Sequence, residues 1–284
     1  MKTKLLKLIA NHRAANQYLR AMDLSLAGKN AFVGGGSKGI GRAIAVELAL
    51  LGANVTLLAR SVALMQEVIT ALDKSNGQQH DFIEADYSNQ EALKTEVAKY
   101  LSGKQKIIHI LINNTGGPPG GLAVNAKPEE FLSAFTNHLI CNQTMAQLTV
   151  DGMKRAGYGR IINVISTSVK APIKGLGVSN TVRGAVANWA KTLSFELGEW
   201  GITVNNVLPG ATMTDRLDEI INDKARKTGD SRDYLIEQMK KQVPLRRFAE
   251  PAEVAAAAAF LATPAGGYIN GVNLPVDGGR LENL

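Results

Sequence analysis

NAFVGGGSKGIGRAIAVELALLGANVTLLAR, residues 30–60, decides the fold. NAFVGG reads as a short buried strand. A glycine-rich turn follows, then the helical pattern GRAIAVELALLG, then the strand NVTLLAR. Gly35, Gly39 and Gly41 fall at the strand-to-helix turn. Glycines at that spacing let the chain turn tightly and let backbone approach a ligand closely. The helix N-terminus that follows offers unpaired N–H groups to an anion. A strand, such a turn and a helix in that order predict a dinucleotide pyrophosphate site.

The pattern repeats outward. HDFIEAD, KIIHILINNTG, GRIINVIST, ITVNNVLPG and the end of INGVNLPVDGG read as five further strands. Helical patterns separate them over 61–75, 89–102, 128–157, 181–201 and 251–262. Short apolar β-branched strands alternating with helices predict an α/β fold with a mainly parallel seven-stranded sheet buried on both faces. Residues 28–284 read as one domain with no linker, and 213–247 as a charged excursion of one or two helices over the ligand crevice. Residues 1–27 read as an N-terminal extension, with an amphipathic helix over 3–22.

Composition excludes several classes. The single cysteine, Cys141, rules out an intramolecular disulfide and argues against a cysteine-rich metal site. Four histidines, His12, His80, His109 and His138, show no zinc-like spacing, so no metal is expected. Net charge is +7, yet Lys2, Lys4, Lys7, Arg13 and Arg20 supply five of those units within twenty residues that hold no acid. The remainder is nearly balanced and aromatics are 5%, so no nucleic-acid partner is expected. No apolar run reaches the roughly 18 residues of a membrane span. Without a signal-peptide core the expected location is cytoplasmic.

Over residues 28–279 the chain resembles the short-chain dehydrogenase/reductase family, and within it the 3-oxoacyl-acyl carrier protein reductases. GxxxGxG from Gly35 to Gly41 resembles the family's cofactor loop, Asn113-Asn114-Thr115-Gly116 its NNAG element with Thr for Ala, and PVDGG at 275–279 its closing motif. The resemblance implies a Rossmann-type three-layer sandwich. It also implies cofactor contacts from Gly35, Ser37, Lys38, Gly39, Ile40, Gly41, Asp86, Tyr87, Asn114, Gly116, Pro209, Gly210, Thr212 and Thr214. Asn137 matches the helix Asn that holds a proton-relay water, and Ser166 the catalytic serine. At the end of the second strand Ala59 stands where an acid would select NAD, and Arg60 follows. Arg60 and Lys38 together suit a ribose 2′-phosphate, so NADP is expected over NAD.

The family's YxxxK pair begins thirteen residues beyond its serine. Here Ser179 and Arg183 occupy those places. A phenol beside an ammonium is a tunable acid, whereas a serine hydroxyl is far weaker and shorter. Arg183 keeps a positive charge and five donors and can grip the nicotinamide ribose, but it is no proton reservoir. Three readings follow. One is an NADP(H)-dependent oxidoreductase on a carbonyl or alcohol, its proton supplied through Ser166, Thr167, Ser168, Ser179, water at Asn137, or Lys170 or Lys174. The second is a catalytically impaired nucleotide binder with a sensor or assembly role, and the third is other chemistry on a bound ligand. Catalytic candidates are Ser166, Asn137, Ser179 and Arg183. The loop from Gly116 to Gly121 is expected to form the substrate wall. A homotetramer or homodimer is implied by the resemblance.

Overall fold

The computed structural model describes residues 22–283. The helix expected over 3–22 lies, save for Met22, outside the described residues. Seven strands form the sheet: β1 (Asn30–Gly34), β2 (Asn54–Ala59), β3 (Asp81–Glu84), β4 (Ile110–Asn113), β5 (Gly159–Val164), β6 (Ile202–Pro209) and β7 (Asn273–Val276). Their order is β3-β2-β1-β4-β5-β6-β7, and every pairing is parallel. This is the three-layer Rossmann-type sandwich expected from the sequence. The order reverses between β1 and β4, which opens a crevice at their carboxyl ends.

The helices are α1 (Gly39–Leu50), α2 (Val62–Ala71), α3 (Gln90–Lys104), α4 (Pro128–Phe135), α5 (Cys141–Ala156), α6 (Gly177–Leu197), α7 (Asp215–Thr228), α8 (Arg232–Lys241) and α9 (Pro251–Ala262). Alternate residues of β1 serve opposite layers. Ala31 and Val33 pack with Ile44 and Leu48 of α1, Met65 of α2 and Val254 of α9. Phe32 packs with Leu93 of α3, Met145 of α5 and Ala190 of α6. Strands covered on both faces need this two-sided apolar pattern. Leu26 is fully buried in the first layer, and its N–H donates to Leu51.

The sequence predicts one long helix over 128–157, but α4 and α5 are joined by a π-helical turn, Thr136–Ile140. Such a turn inserts one residue into the helical ladder and re-aims the side chains around it. Asn137 and His138 lie within it. The charged excursion contains α7 and α8, capped by Thr214 and Ser231 hydroxyls that accept from Leu217 and Tyr234 N–H groups.

A ladder of asparagines crosses four strands. Asn113, Asn163, Asn206 and Asn273 are paired in register along β4, β5, β6 and β7. Asn113 Nδ2 donates to Asn163 Oδ1, Asn163 Nδ2 to Asn206 Oδ1, and Asn206 Nδ2 to Asn273 Oδ1, each at 2.8 Å. The row lies at the carboxyl ends of β4 and β5, beneath the crevice.

Candidate active site

The nucleotide half of the crevice is built from backbone. Gly35 has φ +58°, in the left-handed region. A Cβ on Gly35 would lie 2.8 Å from Asn114 Nδ2, and one on Gly41 only 2.3 Å from the Gly35 carbonyl oxygen. Asn114 Nδ2 donates to the Gly34 carbonyl at 3.0 Å and so ties the β4 end to the glycine turn. The turn leads directly into α1, whose N-terminus carries no side-chain cap, so its N–H groups face the crevice free. This cradle fits a pyrophosphate.

Around it, Ser37 and Ile40 are half-buried, while Lys38 and Arg60 are exposed. Ser37, Lys38, Gly39, Arg42 and Asp215 line a cavity of about 240 Å³. Lys38 Nζ, expected to face a 2′-phosphate, is 3.3 Å from Asp215 at the start of α7. Thr214 lies against Gly39, its Cγ2 3.3 Å from where a Cβ would stand, and caps α7. Asp86 sits in the turn after β3. Hydrogen bonds from Ser88 hold its carboxyl below the usual range against its partial burial, with help from Arg60. Tyr87 is buried with its hydroxyl pressed toward Gly34 and unpartnered, so its side chain faces the core. Burial pushes its phenol well above the ordinary value. Thr212 Oγ1 donates to the Gly210 carbonyl at 3.1 Å beyond Pro209, and a Cβ on Gly210 would come within 2.8 Å of Asp277. Gly116 stands open, with nothing within 4 Å of its Cβ position.

The other half is built from side chains. Ser166, after β5, accepts from the Ser168 N–H at 3.0 Å, while the buried Ser168 Oγ has no partner. Ser179 and Arg183 lie one turn apart on α6. Ser179 is half-buried and Arg183 only 8% exposed. Arg183 Nη1 donates to the Val164 carbonyl at 2.9 Å, and Nη2 lies 3.6 Å from the Cβ position of Gly117. Burial pushes its guanidinium down to about 10, helped by the charge of Arg216, and it stays cationic at neutral pH. Lys174 is exposed on the loop before α6 and Lys170 half-buried.

Three contributors were not singled out by sequence. His138 Nδ1 is 2.7 Å from Thr115 Oγ1. Burial, then the charge of Arg183, pushes this imidazole down to about 3, so it is neutral at pH 7. Arg216 Nη2 donates to the Pro118 carbonyl at 2.8 Å, fastening α7 to the Gly116–Gly121 loop. Thr115 departs from the family's Ala and His138 directly follows Asn137. Those two facts were the available signal. The loop is also pinned to the start of α6: Gly121 N–H donates to Gly175 and Gly177 N–H to Gly121, at 2.7 and 2.9 Å.

Cys141 is buried and its thiol donates to the Tyr87 carbonyl at 3.1 Å. Burial, then Asp86, pushes it up to about 11, as befits a structural thiol. Among the described residues no His/Cys/Asp/Glu group is arranged for a metal, and no helix is long and apolar enough to cross a membrane.

A seven-stranded parallel sheet with a glycine cradle at its topological switch defines a Rossmann-type, dinucleotide-binding fold. Residues 35–280 match the family described as enoyl-(acyl carrier protein) reductase. A 3-oxoacyl-[acyl-carrier-protein] reductase of Vibrio cholerae is 33% identical over 259 residues, 90% of this chain and 98% of the relative. A chloroplastic tropinone reductase homolog of Arabidopsis thaliana is 32% identical over 263 residues, 91% of this chain and 77% of the relative. The L-sorbose reductase of Gluconobacter frateurii, solved with NADPH and L-sorbose, superposes with a TM-score of 0.86 at 28% identity, covering 93% of this chain and 100% of that one. The chain belongs to the short-chain dehydrogenase/reductase family of NAD(P)-dependent oxidoreductases.

Proposed function

We propose that this chain is an NADP(H)-dependent oxidoreductase of carbonyl or alcohol substrates whose proton-handling site departs from the family's. The observation that carries the reading is the backbone cradle of Gly35, Gly41 and Asn114 at the carboxyl ends of β1 and β4; Ser166 and Ser179 are read as the hydroxyls on its substrate side. NADP(H) is the cofactor, supported by the L-sorbose reductase solved with NADPH and by the exposed cations Lys38 and Arg60. When bound, the nicotinamide supplies or accepts hydride.

The chain's own residues then divide the remaining work. Ser179 and Arg183 stand at the family's Tyr and Lys places. Arg183 presents fixed positive charge and spare donors to the nicotinamide ribose. Ser166 and Ser179 orient the substrate oxygen and ordered water. Asn137, in the π-helical turn where the backbone ladder is interrupted, holds that water. The Gly116–Gly121 loop forms the substrate wall. The enzyme acts in the cytoplasm as a dimer or tetramer, with Leu132 on α4 and Phe195 on α6 exposed for subunit contact.

One observation favours a second reading, an impaired nucleotide binder with a sensor or assembly role. No described phenol stands at the family's Tyr place, and three are buried or hydrogen-bonded elsewhere in the fold. Tyr87 is sealed, Tyr100 bonds Asp81, Tyr158 donates to Ala262 at 2.6 Å, and Tyr234 and Tyr268 are exposed. The test is the double variant Ser179→Tyr with Arg183→Lys, assayed for NADPH oxidation over a broad panel of activated ketones. Turnover in the parent, increased in the double variant, supports the oxidoreductase. If neither turns over while both fold and bind NADPH, the second reading replaces the first.

A further inference from the structure

Arg183 is more than nine-tenths buried and uses one of its five donors on Val164. Among the described residues it joins no ion pair. A buried cation without a counter-charge is costly. The hydroxyls of a ribose can bond it but cannot neutralise it. His138 beside it is neutral, and among the described residues no carboxylate lies within ion-pair distance of Arg183.

A second guanidinium borders the same loop. Arg183 Nη2 lies against Gly117, and Arg216 Nη2 donates to the next residue, Pro118. Arg216 is partly paired: its Nη1 meets Glu219 at 3.0 Å, but that carboxylate is on the exposed side of α7. Two cations thus converge on Gly117–Pro118, at the end of the crevice where the substrate wall stands. Burial first, and then the charge of Arg216, lowers the affinity of Arg183 for its proton.

We propose that the substrate carries a carboxylate, held between Arg183 and Arg216 across the Gly117–Pro118 turn, and that Arg216 sets this specificity. The inference rests on the oxidoreductase reading and names the substrate class for that site. A carboxylate accepts from both guanidiniums, neutralises the buried charge and anchors the neighbouring carbonyl beside Ser166 and Ser179. Glu219 remains as the exposed partner that positions Arg216 while the site is open.

The test uses matched pairs: acetoacetate, levulinate and benzoylformate, each against its methyl ester. Binding to the full chain is read by calorimetry with and without NADP⁺, and turnover by NADPH oxidation. The acids are expected to bind roughly 10- to 100-fold more tightly than the esters, the range of a charge-assisted hydrogen bond. The preference should narrow as salt rises. Arg216→Gln should bring the ratio close to one, Arg216→Lys should retain part of it, and the exposed control Lys224→Ala should leave it unchanged. Equal binding of acids and esters, or a ratio that survives Arg216→Gln in a folded variant, overturns the proposal. Preferential binding of the acids without turnover keeps the anion site and removes the oxidoreductase reading. Equal turnover of acids and esters does the reverse.

Discussion

The glycine turn of the nucleotide half and the Gly116–Gly121 loop of the substrate half use glycine in opposite ways. In the nucleotide half, Gly35 and Gly41 are boxed by backbone and by Asn114, with no room for even one methyl group. In the Gly116–Gly121 loop of the substrate half, Gly116 and Gly121 have nothing within 4 Å of their Cβ positions, although Gly177, where α6 begins, is boxed by Ala123. The first half is a fixed shape made by main chain. The second is an open volume whose character comes from a few side chains: Thr115, His138, Ser179, Arg183 and Arg216. Such an arrangement leaves cofactor recognition rigid while the substrate side changes residue by residue.

The largest effect expected on this contrast comes from Gly41→Ala. Its methyl would overlap the Gly35 carbonyl, so the turn must open, at about 3 kcal/mol of stability or an equivalent loss of NADPH affinity. Thermal unfolding and fluorescence titration measure the two. A variant that binds NADPH as the parent does would break the contrast.

Next comes the acid response of the substrate half. Folded His138 takes a proton only near pH 3, whereas an unfolded histidine does so near 6.5. Between those values the unfolded chain holds the extra proton, so stability falls as pH drops through that window. From pH 7 to 5 the loss from this residue is about 2 kcal/mol. Urea unfolding at both pH values, compared with His138→Gln, isolates it; equal pH dependence in the two proteins would count against a neutral buried imidazole.

Cofactor choice ranks third. NADPH should bind at least about tenfold more tightly than NADH, or about 1.4 kcal/mol. Lys38 is engaged with Asp215, so Arg60→Ala should erase more of that preference than Lys38→Ala. Titrations at one ionic strength decide it, and the opposite ranking would return the role to Lys38. The smallest effect belongs to Gly116→Ala, expected to shift unfolding by less than about 0.5 kcal/mol because its surroundings are empty. A shift as large as that of Gly41→Ala would show that the substrate half is as tightly framed as the other.

The fold was legible because strand, turn and helix alternate with strong periodicity, and α9 falls where PAEVAAAAAFLA predicts it. β4 was overread. KIIHILINNTG carries five isoleucines and leucines within its first seven residues, but the ladder begins only at Ile110. The π-helical turn was illegible, since one inserted residue barely disturbs a 3.6-residue period. Asp215 reads as a solvated helix start, yet it meets Lys38 across 177 residues of chain. Side-chain pairs such as Thr115 with His138 were hidden for the same reason. Each partner is ordinary in its own segment, and only the sheet order brings the segments together.

The asparagine ladder gives the sheet a sense of direction. The three hydrogen bonds of the row all run the same way, from β4 toward β7, so neither inner amide, Asn163 or Asn206, can turn over alone without setting like against like on both sides. The row behaves as a single switch with three contacts, thrown once when the strands assemble. A strand that slipped by one residue would present a side chain from its other face and leave two amides unanswered in the interior. The ladder therefore acts as a proofreader of strand alignment. It keeps the carboxyl ends of β4 and β5 level, and the loops that leave those two strands start from a common plane.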